Sequence, residues 1–158
     1  MSLLPVFEWC ENTGVGNAIR SSLWLFPVIE SFHLLALALI GGAVLVVDLR
    51  LLGLALRRQP VAPLARDAER WLAAGLVAMV LSGLLLFLSE AIKCYYSTAF
   101  RTKMAFLLPA IVFTFTIRRR IAADETRVAP LLQRVAAIVS ISLWSVVGAA
   151  GRWIGFSG

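Results

Sequence analysis

Histidine and cysteine are scarce in this chain. Its 158 residues include one histidine, His33, and two cysteines, Cys10 and Cys94. One histidine excludes a haem held by two histidines of the same subunit. It also disfavours a carboxylate-bridged di-metal bundle, which needs two histidines and several acids at one level. The chain has no Cys-x-x-Cys-His sequence, which excludes c-type haem attachment. It also lacks a phosphate-binding glycine loop, and no serine has a recognisable base partner, so hydrolase chemistry is not indicated.

Charged residues are also few. They make up 15% of the chain, against 60% hydrophobic residues, and the mean hydropathy is +0.87. A soluble domain of this size needs a polar surface that this composition cannot supply, so we predict one integral membrane domain over residues 1–158. The net charge is +6, but the arginines lie in short connections between apolar runs. This pattern indicates a lipid bilayer, and not nucleic acid, as the partner.

Four apolar runs are long enough to cross a bilayer as helices. We expect spans at about 23–47, 71–90, 101–117 and 135–152, with a kink at Pro109 in the third. Residues 1–22 are too polar to span and carry the interfacial aromatic Trp9; no cleavable signal peptide is expected. The predicted fold is therefore all-α, an integral membrane four-helix bundle with a short N-terminal interfacial helical segment on the outer face.

The connections predict the orientation. The first and third connections are rich in arginine, whereas the middle one, "EAIKCYYSTAFRTK", is less basic. The positive-inside rule places the arginine-rich connections in the cytoplasm of a bacterial inner membrane and both termini on the periplasmic side. Cys10 and Cys94 then lie in an oxidising space, where a disulfide and two free thiols are both open interpretations.

Counting depth along each helix brings polar residues to one level near the outer edge. From Asp48 to His33 is roughly 22 Å, and from Arg70 to Glu90 about 30 Å, at the rise of an α-helix. Each predicted span delivers such residues to this level. The members of this polar layer are Glu30, His33, Glu90, Arg101, Lys103 and Arg152.

Two interpretations of the polar layer remain open. The layer either locks the bundle as a set of ion pairs or surrounds a site that opens to the outer face. In a site, His33 is the candidate ligand of a b-type haem or a transition metal, and Glu30 shares its helix face. Lys103 and Arg152 would then compensate haem propionates or a quinone head group. Trp144, near mid-depth, either packs in the core or stacks on a planar ligand.

Three quoted stretches together resemble a known kind of protein. They are "SLWLFPVIESFHLLALALIGGAVLVVDLRLLGL", "SEAIKCYYSTAFRTKMAFLL" and "GRWI". The chain resembles a family of small bacterial four-helix inner-membrane proteins of unknown function, and is more distantly similar to copper-resistance D-type membrane proteins and to histidine-bearing haem membrane proteins. The matching positions are Glu30, His33, Asp48–Arg50, Ser89, Glu90, Phe100–Lys103 and Gly151–Trp153. The resemblance implies another histidine at the inner end of helix three, where this chain reads "FTFTIRRR" and has none.

Three functions are compatible with these observations, and the sequence predicts no particular reaction. The first is a redox or metal-handling protein that binds haem or a metal through His33. The second is a non-enzymatic structural or assembly subunit of a larger membrane complex. The third is a proton-coupled carrier that uses Glu30 and His33 as a relay and works as a homo-oligomer, because four helices are few for transport.

Overall fold

A computed structural model describes residues 3–156 and is all-α in that range. Four of its helical segments are long and apolar enough to cross a membrane, which confirms the predicted fold class. In chain order the elements are α1 Leu4–Glu11, α2 Gly14–Ser21, α3 Leu25–Leu51, α4 Val61–Ser89, α5 Ala91–Tyr96, α6 Thr98–Phe113, a π-helical turn Thr114–Arg118, α7 Arg119–Ala123 and α8 Pro130–Ile154.

The long helices differ from the expected spans mainly at one end of the bundle. Helix α4 begins at Val61, well before residue 71, and α8 begins at Pro130, before residue 135. The expected spans were counted over apolar residues, whereas a helix continues wherever its backbone hydrogen bonds can form. We call the end that carries the α3–α4 and α7–α8 connections the arginine-rich end, and the other the opposite end.

Most of the apolar side chains of the long helices face outward. Leu35, Val77, Leu108 and Ile138 are all more than half exposed. A helix that is apolar around most of its circumference is stable when lipid, and not water, surrounds it. The burial pattern therefore agrees with a multi-pass membrane bundle.

Helix α3 is central to the packing. It packs most extensively against α4 and also against α8, while α6 packs against α8. Gly75 of α4 permits the close α3–α4 approach, because a Cβ there would lie 2.8 Å from the Cγ1 of Ile40. Helix α4 meets α7 at the arginine-rich end, but α4 and α6 make few close backbone approaches within residues 3–156.

A π-helical turn interrupts the third span at Thr114–Arg118. Pro109 lies one turn earlier, inside α6, where it lacks the N–H that an α-helix would use. The helix continues through both features to Ala123. The turn buries Thr114 and Arg118, so both polar side chains face the bundle interior.

Glu125 ties the arginine-rich end together. Its carboxylate accepts hydrogen bonds from Arg50 Nη2 at 2.7 Å and from the backbone N–H of Val61 at 2.9 Å. Val61 is the first residue of α4, where a negative charge is favoured by the helix dipole. Gln133 of α8 donates to the backbone carbonyls of Glu125 and Val128. These contacts link both connections at this end.

The N-terminal helices dock on the end of α4. Gly16 of α2 is buried, and a Cβ there would collide with the carbonyl oxygen of Leu88. Arg20 donates to the carbonyl of Ser89 at 3.0 Å and pairs with Glu11 at 3.6 Å. Residues 4–21 are thus held at the opposite end of the bundle.

We expect Gly16→Ala to loosen this docking. The added Cβ meets backbone carbonyl oxygens, which cannot move aside as a side chain can, and overpacking of this kind costs about 1–3 kcal/mol. Gly14→Ala in the same helix is the matched control, because a Cβ at Gly14 meets nothing within 4 Å. Hydrogen exchange in detergent should quicken over residues 4–21 in Gly16→Ala alone. Equal exchange in the two variants would contradict the packing described here.

Candidate functional site

His33 of α3 is held by a side chain on α4. Its Nδ1 lies 2.9 Å from the Oγ of Ser82, and Ser82 in turn donates to the carbonyl of Ala78 at 2.6 Å. Because a hydroxyl has one proton, the Ser82 oxygen accepts from His33 Nδ1–H. In the neutral ring, this assignment leaves the lone pair on Nε2. The half-buried ring therefore presents a basic nitrogen on the side away from Ser82.

Two glycines and a lysine complete the surroundings of His33. A Cβ at Gly83 would lie 3.1 Å from His33 Cε1, and a Cβ at Gly151 would lie 3.5 Å from the Nζ of Lys103. Lys103 of α6 is close enough for its charge to act on His33. We call His33, Ser82, Gly83, Lys103 and Gly151 the His33 cluster. It brings α3, α4, α6 and α8 together at the opposite end.

Glu30 and Arg152 form a looser pair further out. Their closest charged atoms are 3.9 Å apart, and both side chains are more than one third exposed. The Arg152 guanidinium also lies over the Phe156 ring, with 4.6 Å to its centroid. Exposed pairs of this length contribute little to stability. Glu30 and His33 share a helix face, as their spacing requires, but have different partners.

The remaining residues of the predicted site are dispersed. Glu90, between α4 and α5, lies 3.7 Å from Lys93, and Arg101 is exposed. Trp144 is buried in the core, where its indole Nε1 donates to the Thr114 hydroxyl at 3.0 Å. The polar layer thus consists of a His33–Lys103 part, a Glu30–Arg152 part, and side chains that belong to neither.

Cys10 and Cys94 are both free thiols in the structure. Cys94 lies in α5, between the second and third spans, and is buried. Burial, with the nearby Glu90 carboxylate acting in the same direction, raises the pKa of the Cys94 thiol to about 11. Cys94 is therefore protonated at neutral pH and a poor nucleophile there.

A buried ion pair near the arginine-rich end was missed by the sequence reasoning. Asp48 of α3 is fully buried, and its Oδ1 lies 2.7 Å from Nε of Arg118, which is 7% exposed. The N–H is not aligned on the oxygen, so this is a close ion pair without a good hydrogen bond. The hydroxyl of Ser140 on α8 lies near the same carboxylate without a well-formed hydrogen bond. In the sequence, Asp48 and Arg118 each stand at the end of an apolar run and at the same level. This shared level is the signal from which the pair could have been predicted.

The donor set limits what the chain could hold. Among residues 3–156, no three His, Cys, Asp or Glu side chains are grouped so that they could bind a metal ion. His33 alone offers an imidazole nitrogen, and the nearest charged group described beside it is a cation. A bare metal ion would therefore find one protein ligand at His33 in this part of the chain.

These features define a class: a small helical membrane protein with one ordered histidine and a separate buried ion pair. A family of unknown function (DUF6644) has a model that matches residues 6–157, so the chain belongs to that family. The predicted membership of an uncharacterised family is confirmed, while the distant similarity to copper-resistance D-type proteins stays a prediction. No curated protein and no solved structure matches the chain.

The thiols provide a direct test of the opposite end. We expect an unreduced, unfolded sample to react at both cysteines. In the folded protein at pH 7.5, a water-soluble maleimide should label half-exposed Cys10 well before Cys94, because thiolate is the reactive form. Labelling of Cys94 should rise as the pH approaches 11. Between the pKa of an exposed thiol and about pH 11, the unfolded state loses the Cys94 proton while the native state keeps it. The free energy of unfolding should therefore fall as the pH rises over this range. Recovery of a Cys10–Cys94 disulfide from membranes would contradict two free thiols.

The buried pair should dominate stability at the arginine-rich end. Arg118→Gln leaves the Asp48 carboxylate buried without its cation, and we expect a loss of about 3–5 kcal/mol. The double variant Asp48→Asn with Arg118→Gln should recover much of this loss, because it leaves no unpaired charge. Thermal unfolding in mild detergent gives the comparison, with Arg120→Gln as the exposed control. If the single and double variants unfolded at the same temperature, Asp48 and Arg118 would not be energetically coupled.

Proposed function

We propose that the protein is a small membrane redox component that binds one b-type haem through Nε2 of His33. The observation that carries the proposal is the hydrogen bond between His33 Nδ1 and Ser82. Histidines that ligate metals commonly donate their other ring N–H to a neighbouring group, which fixes the tautomer and aims the free nitrogen. Ser82, itself held by Ala78, has this role here.

The donor set favours haem over a bare metal ion. A porphyrin brings four nitrogen ligands of its own, so one protein histidine is enough to hold the iron. A transition metal ion needs further protein ligands, and the described residues offer no suitable group of three. A chain with a single histidine therefore suits haem better than a bare metal ion, because haem iron needs fewer protein ligands.

The charges near His33 suit a haem whose propionates face the outer side. Lys103 lies within electrostatic range of His33, and Arg152 lies further out in the Glu30 pair. Lys103 could pair with one propionate carboxylate, and Arg152 could pair with the other in exchange for Glu30. The limited contact between α4 and α6 would let a planar group enter between these helices from the lipid. With the orientation predicted by the arginine distribution, the site would open toward the periplasm.

Bound haem would supply one-electron chemistry, and the chain's own residues would position it. Gly83 lets the His33 ring lie close against α4, because a Cβ at this position would be 3.1 Å from Cε1. Since one chain offers one histidine, a monomer would hold the haem through His33 alone, whereas a dimer could hold one haem through the His33 side chains of two copies.

The test is haemin titration of protein purified in mild detergent. We expect a Soret band with one haem per chain, or one per two chains if His33 from two copies ligate the same iron. His33→Ala should abolish the band, because no other imidazole exists in the chain. Ser82→Ala should retain binding but weaken it by about 10- to 100-fold, the usual effect of losing a ligand's supporting hydrogen bond.

Ser145→Ala, at an exposed position on α8, is the matched control and should bind as the wild type does. Absence of a Soret band in the wild type, or an unchanged band in His33→Ala, would overturn the proposal. A stable complex with other membrane subunits, unaffected by His33→Ala, would instead favour the structural role.

A further inference from the structure

We propose that the arginine-rich end binds an anionic phospholipid, with its phosphate on Arg66 and Arg70 and one acyl chain along the outer face of α4. The proposal is independent of haem binding at His33, because it concerns the other end of the bundle. It rests on which arginines at this end have carboxylate partners, on the spacing of residues along α4, and on the length of its apolar face.

Most of the net positive charge of the chain lies at the arginine-rich end. Residues 48–70 and 118–134 contain ten arginines and five acids, a net +5 of the total +6. Three of these arginines are paired with carboxylates: Arg50, Arg118 and Arg119. Arg66 and Arg70 are different, because both are exposed and neither takes part in an ion pair or a side-chain hydrogen bond within residues 3–156. Their charge is therefore available to a molecule outside the chain.

Arg66 and Arg70 can act on one phosphate together. They are four residues apart in α4, which places them one helical turn apart on the same face. Each guanidinium can donate two parallel N–H bonds to phosphate oxygens. Asp67, three residues before Arg70, is exposed and forms no ion pair in the part of the chain that the structure describes. The local charge is therefore positive, and Asp67 moderates it.

The two arginines lie where α4 passes from polar to apolar sequence. The apolar run of α4 begins directly after Arg70, at Trp71. Trp71 is 62% exposed, and exposed tryptophans of membrane proteins are concentrated at the level of the lipid head groups. Arg70 therefore lies at the depth at which a phospholipid carries its phosphate.

The face of α4 below Arg70 suits an acyl chain. Ala73, Val77 and Leu81 follow Arg70 at three, seven and eleven residues, so they lie on its side of the helix. All three are exposed, Val77 and Leu81 by more than half. From Arg70 to Leu81 is about 16 Å at the rise of an α-helix, close to half of the roughly 30 Å hydrocarbon core. One acyl chain of one leaflet thus matches this face in length.

The two parts of the surface together specify the ligand. Two unpaired arginines favour a phosphate, and the apolar row beside them favours a molecule in which that phosphate is joined to an acyl chain. A zwitterionic phospholipid carries a cation close to its phosphate, and the arginines repel this cation. An anionic head group such as phosphatidylglycerol has no such cation, so it gains the full attraction of Arg66 and Arg70.

The primary experiment is native mass spectrometry of the full chain from nanodiscs with equal amounts of phosphatidylglycerol and phosphatidylcholine. We expect the wild type to retain phosphatidylglycerol preferentially. Replacing both arginines, Arg66→Gln with Arg70→Gln, should lower the ratio of retained phosphatidylglycerol to phosphatidylcholine by about tenfold or more. The double variant Arg57→Gln with Arg58→Gln is the matched control and should keep the wild-type ratio. It also removes two exposed arginines from this end, but they precede α4.

Two further variants separate a lipid site from an effect on folding. Asp67→Asn should raise the retained ratio above that of the wild type, because it removes the exposed acid beside the arginines. Arg66→Lys with Arg70→Lys should keep most of the preference, because both charges remain. If Asp67→Asn lowered the ratio, or if the lysine variant behaved as the glutamine variant does, attraction by charge at this face would be wrong.

A phosphatidylglycerol with a photoreactive group in its acyl chain tests the wild type without substitution. Compared with the same probe on phosphatidylcholine, it should label peptide 71–93 in preference to peptide 135–152. Equal ratios of labelling in the two peptides, or equal retention of both lipids by the wild type, would overturn the proposal. An equal loss in the two double glutamine variants would also overturn it, because the whole end and not α4 would then attract the lipid.

Discussion

The ion pair between Asp48 and Arg118 is the interaction on which the bundle most depends. Two opposite charges buried in a low-dielectric interior tolerate little displacement, because either one alone would be strongly destabilising. Asp48 belongs to α3, Arg118 ends the π-helical turn, and Ser140 of α8 lies against the same carboxylate. Three of the four spanning segments are therefore held in one register at this level.

The same constraint explains the polar contacts elsewhere in the membrane-depth part of the chain. Trp144 donates a hydrogen bond to Thr114, which lies one helical turn before Arg118, and His33 is hydrogen-bonded to Ser82 at the opposite end. Each contact joins different helices, since a polar side chain in lipid has few alternatives to a neighbouring helix.

Much of the architecture could be predicted, and the reasons are local. Apolar run length indicated four spans, and the rise per residue placed Glu30, His33, Lys103 and Arg152 at one level. Partner choice could not be predicted in this way, because depth does not determine rotation about a helix axis. Lys103 thus lies on Gly151, while Arg101, two residues earlier, is exposed. The π-helical turn also has no plain sequence signal, and it is this turn that buries Thr114 and Arg118 together.

The sequence by itself determined the all-α class and the four helices that are long and apolar enough to cross a membrane, because these follow from hydropathy, length and helical rise. Only the tertiary structure decided that Asp48 is a fully buried partner of Arg118, that Trp144 donates a hydrogen bond to Thr114, and that Nδ1 of His33 faces Ser82. The physical reason is that these facts depend on which helix faces which. That is set by close contacts such as Gly75 on Ile40, between residues far apart in the chain.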